Sequence, residues 1–166
     1  MGELAAIALG SNVGDCEGNL LEAVRRVGAL GLVRAVSSFY DTAPVGYLDQ
    51  ARFLNGALLL ETSLEPVELL RGLLGVELAM GRVRVVDKGP RVIDLDLILY
   101  GGRVVATEEL TLPHPAMGER RFVLEPLAEI AGGMVHPVLG VSVGEMLKVV
   151  VGKGDENDTT DTPPMR

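Results

Sequence analysis

Gly89-Pro90-Arg91-Val92-Ile93-Asp94-Leu95-Asp96-Leu97-Ile98-Leu99-Tyr100 is the stretch on which the fold turns. Residues 92–100 are dense in Val, Ile, Leu and Tyr, the composition of a strand. Side chains alternate across a strand, so Asp94 and Asp96 share one face while Leu95 and Leu97 share the other. Gly89-Pro90 supplies turn chemistry ahead of the strand, and Gly101-Gly102 turns the chain toward a shorter strand at 103–106.

Working outward, residues 5–9 read as a short buried strand closed by Gly10-Ser11-Asn12. Asp15 is placed to cap a helix with Leu20, Val24 and Val27 on its apolar face and Glu22, Arg25 and Arg26 outside; Gly28 and Gly31 end it. Residues 33–40 form a second strand, followed by a loop over 42–50 that is too long for a hairpin turn and long enough to carry function. A third strand covers 53–62. Pro66 then opens a helix striped by Leu69, Leu73, Val76 and Met80 and ended by Gly81. Residues 122–131 make a short helix and 143–151 an apolar closing segment. The order is β-α-β-β-α-β with C-terminal additions. It predicts an α+β, ferredoxin-like split βαβ fold, an antiparallel sheet with its helices packed on one face. One domain is expected over residues 1–151, with a disordered acidic tail at 152–166.

Composition bounds the function. A chain of 166 residues with 48% hydrophobic residues can bury a core, and no apolar run reaches the length of a membrane span. The single cysteine, Cys16, makes no internal disulfide, and no signal peptide is visible, so a reducing cytoplasm is expected. A net charge of −8 argues against nucleic-acid or anionic-membrane binding. Against that background Arg82, Arg84, Lys88 and Arg91 form a basic island, which suits a small anionic ligand or is simply a solvated loop.

Two carboxylates as close as Asp94 and Asp96 repel each other, and burying them unpaired is costly. Magnesium removes the conflict by binding carboxylate and phosphate oxygens together. The alternative is an exposed face with two solvated aspartates. Arg91 beside the pair favours the first reading, because metal and guanidinium at one strand end are what phosphoryl transfer requires. No Gly-x4-Gly-Lys-Ser/Thr loop is present. Phe53 and Asn55 share a strand face, an aromatic plate beside an amide, which suits a flat heterocycle or an ordinary core position. His114, held between Pro113 and Pro115, is placed for a phosphate or for its own backbone. His136 reads as structural and Cys16 as incidental.

Taken together, the sequence resembles the 6-hydroxymethyl-7,8-dihydropterin pyrophosphokinase family of folate biosynthesis. The resemblance rests on Ala8-Leu9-Gly10-Ser11-Asn12, Ser37-Ser38-Phe39-Tyr40 with Thr42 and Pro44, and Phe53-Leu54-Asn55. Glu61-Thr62-Ser63-Leu64, Glu77 with Gly81-Arg82-Val83-Arg84, the run from Gly89 to Asp96, Pro113-His114 and Arg121-Phe122 complete it. It implies a ferredoxin-like fold and transfer of the pyrophosphoryl group of ATP to the hydroxymethyl oxygen of the reduced pterin, releasing AMP. It further implies two magnesium ions on Asp94 and Asp96, with Arg82 and Arg91 closing over the phosphates. The pterin would lie between Phe53 and Phe122, its edge read by Asn55 and by main chain around Thr42, Pro44 and Val45. Glu77, Arg82, Arg84, Arg91, Thr111, His114 and Arg120 fall at or beside nucleotide-contact positions. A monomer is expected. Relatives often carry an aromatic residue where this chain has Lys88, and Pro115 stands where a polar or aromatic residue occurs. Two rival readings remain: a metal-dependent nucleotide-sugar transferase, which explains Asp94 and Asp96 but not the phenylalanines, and a non-catalytic ligand-sensing module, which needs no paired carboxylate.

Overall fold

A computed structural model of the chain describes residues 2–42, 52–81 and 91–153. Its elements are β1 (Glu3–Ser11), α1 (Cys16–Val27), β2 (Leu32–Val36), β3 (Tyr40–Thr42), β4 (Phe53–Thr62), α2 (Pro66–Ala79) and β5 (Asp94–Tyr100). A small hairpin of β6 (Val105–Ala106) and β7 (Thr111–Leu112), a 3-10 turn (Met117–Glu119), α3 (Arg121–Ala131) and α4 (Val143–Gly152) follow. The main sheet runs β2-β4-β1-β5, with β3 also paired to β4, and every pairing is antiparallel. This interleaving of two split βαβ units is the ferredoxin-like plan.

Local chemistry starts and stops the helices. Asp15 accepts a hydrogen bond from the Gly18 N–H, as an N-cap should. Glu65 and Glu68 form a reciprocal capping box around Pro66 at the first position of α2. Gly81, at φ +83°, takes the left-handed conformation just beyond α2. Ser142 and Glu145 make a second capping box at the start of α4.

Helices cover both faces of the sheet, not the one face the element order predicts. On one side α1 and α2 bury Leu20, Val27, Leu69 and Leu73 against Ile7, Leu58, Leu60, Leu95 and Leu97. On the other, α3 and α4 bury Leu124, Leu127, Val143 and Met146 against Ala6, Ala57, Leu59, Ile98 and Leu99. The C-terminal additions form this second layer. Burying one leucine is worth about 1.5–3 kcal/mol, so a sheet with Leu58-Leu59-Leu60 at its centre gains by being covered twice.

The strand expected over 33–40 is two strands. Pairing to β4 is interrupted at Ser37, whose N–H donates to the Ala57 carbonyl and whose hydroxyl accepts from the Ala57 N–H. The side chain thereby takes a place in the ladder and β3 restarts at Tyr40. The strand expected at 103–106 is shorter, Val105–Ala106, and pairs with β7. A bulge breaks the β1–β5 register: Ile7 faces Leu97 and Ala6 faces Leu99, leaving Ile98 as the extra residue. Ile98 and Leu99 consequently both face α3 and α4.

Candidate active site

Among the described residues β5 pairs only with β1 in the sheet, and its other side meets α2 and the segment after β6. There a cleft of about 320 Å³ opens. α2 contributes Leu70, Leu74 and Glu77, β5 contributes Asp94 to Leu97, and Leu110, Thr111 and His114 lie across from them. Asp94 and Asp96 stand opposite Gly10 and Ala8 of β1, on the sheet face that carries α3 and α4. Alternation keeps Leu95 and Leu97 in the other core.

Arg91 is anchored at the mouth of β5. Its Nη1 donates to Asp94 Oδ2 at 3.0 Å, and its side chain is only 11% exposed. Its backbone is gripped by buried Asn12: the Arg91 N–H donates to Asn12 Oδ1 at 2.7 Å, and the Asn12 N–H donates to the Arg91 carbonyl at 3.0 Å. Asn12 carried no assigned role in the sequence reading. Its signal there was a polar residue closing a buried strand, and its partner lies 79 positions away.

Glu77 is 3% exposed, and its Oε2 accepts a hydrogen bond from the Leu95 N–H at 2.6 Å. The sequence placed it near the nucleotide; the structure places it in the cleft with its carboxylate on the backbone between the two aspartates.

His114 is held from both sides. Its N–H donates to the carbonyl of the bulged Ile98 at 2.9 Å, and its Nδ1 accepts from the Ala116 N–H at 3.1 Å. Accepting at Nδ1 leaves the ring proton of the neutral form on Nε2. Burial, then the nearby Arg120 guanidinium, push its pKa below the ordinary value, with Asp94 opposing. His136 is structural: its Nδ1 accepts from the Val138 and Leu139 N–H groups.

A second region adjoins the carboxylates on the same face. Asn55 of β4 faces Gly10, which in turn faces Asp94. The Asn55 amide donates to the Thr42 hydroxyl, both residues being buried. Phe53 pairs with Thr42, and its ring edge lies close to Gly10. Phe122, at the start of α3, is half-buried over this face, with the Arg120 guanidinium 5.6 Å from its ring centroid. Sequence reasoning missed Glu129 of α3, which accepts from the Ser38 N–H, the Ser38 hydroxyl and the Tyr40 hydroxyl and so ties α3 to β3. Desolvation and that carboxylate raise the Tyr40 pKa. Pro44, Val45, Arg82, Arg84 and Lys88 lie outside the described residues.

The donors present are hard oxygens in a pair. No group of three or more His, Cys, Asp or Glu side chains able to hold a metal occurs among the described residues. Two carboxylates suit magnesium, which takes one or two from the protein and completes its shell with water and substrate phosphate. No helix among the described residues is long and apolar enough to cross a membrane.

Fold and cleft together define a class: a ferredoxin-like domain with two carboxylates at a cleft along the edge of its sheet. Comparison with known proteins narrows it. The family model described as 7,8-dihydro-6-hydroxymethylpterin-pyrophosphokinase (HPPK) matches residues 6–132, and the chain belongs to that family. The 2-amino-4-hydroxy-6-hydroxymethyldihydropteridine pyrophosphokinase of Bacillus subtilis (strain 168) is 52% identical over 132 residues, 78% of this chain and 79% of that protein. The protein of the same name from Methylorubrum extorquens is 46% identical over 145 residues, 86% of this chain and 90% of that protein. The folic acid synthesis protein fol1 of Pneumocystis carinii is 41% identical over 90% of this chain, which spans only 20% of fol1. The wild-type HPPK-DHPS of Plasmodium falciparum, crystallised with pterin and p-hydroxybenzoate, superposes with a TM-score of 0.74 at 16% identity, over 97% of this chain and 46% of that chain. At that identity the likeness is one of fold.

Proposed function

We propose that this chain transfers the β,γ-pyrophosphoryl group of ATP to 6-hydroxymethyl-7,8-dihydropterin, giving AMP and the pterin diphosphate in folate biosynthesis. The observation that supports it most is the row Asn55–Gly10–Asp94, which lays an amide and a carboxylate on one sheet face with only a glycine between them. Family membership does not favour nucleotide-sugar transfer or ligand sensing.

In this reading the pterin lies between Phe53 and Phe122, with Asn55 and main chain near Thr42, Pro44 and Val45 reading its edge. Thr42 accepts from the Asn55 amide and so fixes which way that amide presents its oxygen. The nucleoside enters the cleft lined by Leu70, Leu74, Leu110 and Thr111, with Glu77 bracing the strand beneath it. Asp94 and Asp96 hold the magnesium, two ions in this proposal, which when bound neutralises the triphosphate and orients its oxygens. The pterin hydroxyl oxygen attacks the β-phosphorus, the bond from that phosphorus to the α-bridging oxygen breaks, AMP leaves with that oxygen, and the hydroxyl proton passes to water. Arg91, with Arg82 and Arg84, stabilises the charge moving onto the leaving oxygens. Arg120 and the Nε2–H of His114 donate to phosphate oxygens. Catalysis rests on positioning rather than on a strong base. ATP and the pterin are the proposed partners of a monomer that acts in the cytoplasm without nucleic acid or membrane, in keeping with its net charge of −8.

Incubation with ATP, magnesium and the reduced pterin tests this directly. AMP should form only when all three are present; AMP release indifferent to the pterin, or none across a range of magnesium concentrations, refutes the proposal.

A further inference from the structure

The ladder between β1 and β5 closes at Gly10 and Asp94. Continued in that register, Asn12 would face Val92. It grips Arg91 instead, one residue further on, because its side chain supplies the reach. Asn12 Oδ1 accepts from the Arg91 N–H at 2.7 Å, while the Asn12 N–H donates to the Arg91 carbonyl at 3.0 Å. A side-chain carbonyl thus stands in for a strand's own, and both backbone groups of Arg91 are held. The turn that presents Asn12 is braced from α1: the Asn19 amide donates to the Ser11 hydroxyl at 3.1 Å and to the Val13 carbonyl at 2.8 Å. Asn12 and Ser11 are both buried.

Arg91 has reason to be gripped. Its Nη1 meets Asp94, but its Nε is buried with no acceptor among the described residues. A buried donor left without a partner costs about 1–3 kcal/mol, which the side chain would recover by swinging out to water. A fixed main chain at Arg91 fixes the direction of its Cα–Cβ bond. The guanidinium then stays beside Asp94, with Nε left for an anionic oxygen of the substrate.

We infer that Asn12 is a positioning residue for the transfer: by clamping the main chain of Arg91 it holds the guanidinium at Asp94, where charge develops on the leaving oxygens. This rests on the pyrophosphoryl-transfer reading of the site. Without the clamp Arg91 drifts, and misplacing a catalytic group by about 1 Å costs up to roughly 10²-fold in rate. Asn12 does not line the cleft, so substrate affinity should change little.

The test is a cycle of Asn12→Ala, Arg91→Ala and the double variant, assayed for AMP release with each substrate varied in turn. Asn12→Ala should lower kcat roughly tenfold or more, with the KM for the pterin within about twofold of wild type. In the Arg91→Ala background the same substitution should change kcat by less than about twofold, because residues acting through one group do not add. An unchanged kcat in Asn12→Ala, or an equal fold-loss in both backgrounds, overturns the inference; a general loosening of the fold gives the second result. Should Asn12→Ala not fold, the wild-type protein answers instead. The Arg91 amide, held by Asn12 Oδ1, should exchange its hydrogen roughly 10²-fold or more slower than an exposed amide; exchange at the unprotected rate overturns the inference. A wild-type protein that releases no AMP refutes the parent proposal, and this one with it; one that turns over while Asn12→Ala loses equally with and without Arg91 refutes this one alone.

Discussion

Glu77 of α2 and Leu95 of β5 are joined by a hydrogen bond of 2.6 Å from the Leu95 N–H to the buried Glu77 carboxylate, at the amide that separates Asp94 from Asp96. The strand at the edge of the sheet is thus held by a side chain where a neighbouring strand would otherwise hold it. Replacing Glu77 by Ala should strand that amide and cost about 1–3 kcal/mol in urea unfolding, with turnover falling as the aspartates lose their register. Glu77→Gln keeps an acceptor and should lose less. Equal stability of wild type and Glu77→Ala would show that this bond does not hold the strand.

Asp94→Ala and Asp96→Ala should each lower turnover by roughly 10²–10³-fold, the scale of a lost electrostatic contact to the transition state. Asp96 is outside the apolar clusters, so the melting temperature of Asp96→Ala should stay near the wild-type value, whereas Asp94→Ala takes a carboxylate from the largely buried Arg91 guanidinium and should melt lower. Near-normal turnover in either variant removes that carboxylate from the chemistry.

Phe53→Ala should weaken the pterin far more than ATP, because its ring lies beside Gly10 on the face that carries Asn55 and does not line the cleft beside α2. Calorimetric titration with each ligand reads the difference. Matching losses would reassign the heterocycle to another part of the surface.

His114 carries a pH signature. Burial and the Arg120 guanidinium lower its pKa in the folded state below the ordinary value of 6.5. A lowered histidine pKa means the unfolded chain binds the proton more readily. The stability tied to neutral His114 is therefore present above about pH 6.5 and lost as pH falls through the folded-state value. The ring should titrate below 6.5 by NMR, and His114→Asn should lose less stability than wild type between pH 7.5 and 5.5, values chosen to bracket roughly that range. A ring that titrates at or above 6.5 contradicts the assignment.

The antiparallel α+β plan was legible because β1, β4 and β5 announce themselves by composition, and α1 and α2 by spacing and caps. The second helical layer was legible too, in principle. Leu58-Leu59-Leu60 in β4 is a continuous apolar run, the mark of a strand buried on both faces, and it outweighs an element order that suggests one. The break at Ser37 was not legible, since it depends on one hydroxyl meeting the Ala57 amide 20 residues away. Within the site, period-two alternation was enough to put Asp94 and Asp96 on one face. Asn12 and Gly10 required cross-strand register, which no local pattern contains. Glu77 was singled out only through the family resemblance, and its hydrogen bond to the Leu95 amide is formed only when α2 packs beside β5.

The extra residue Ile98 makes β5 two strands in one, out of phase by half a pleat. Ahead of it, the outward-looking positions are acidic; beyond it, the same side is wholly apolar, and the carbonyl of Ile98 itself secures His114. Insertions and deletions between Leu95 and Tyr100 should therefore be far less tolerated than point changes. Losing a single residue there would leave one half of the strand correctly seated and turn the other inside out, so that the chain must choose between a sound core and a working acidic pair.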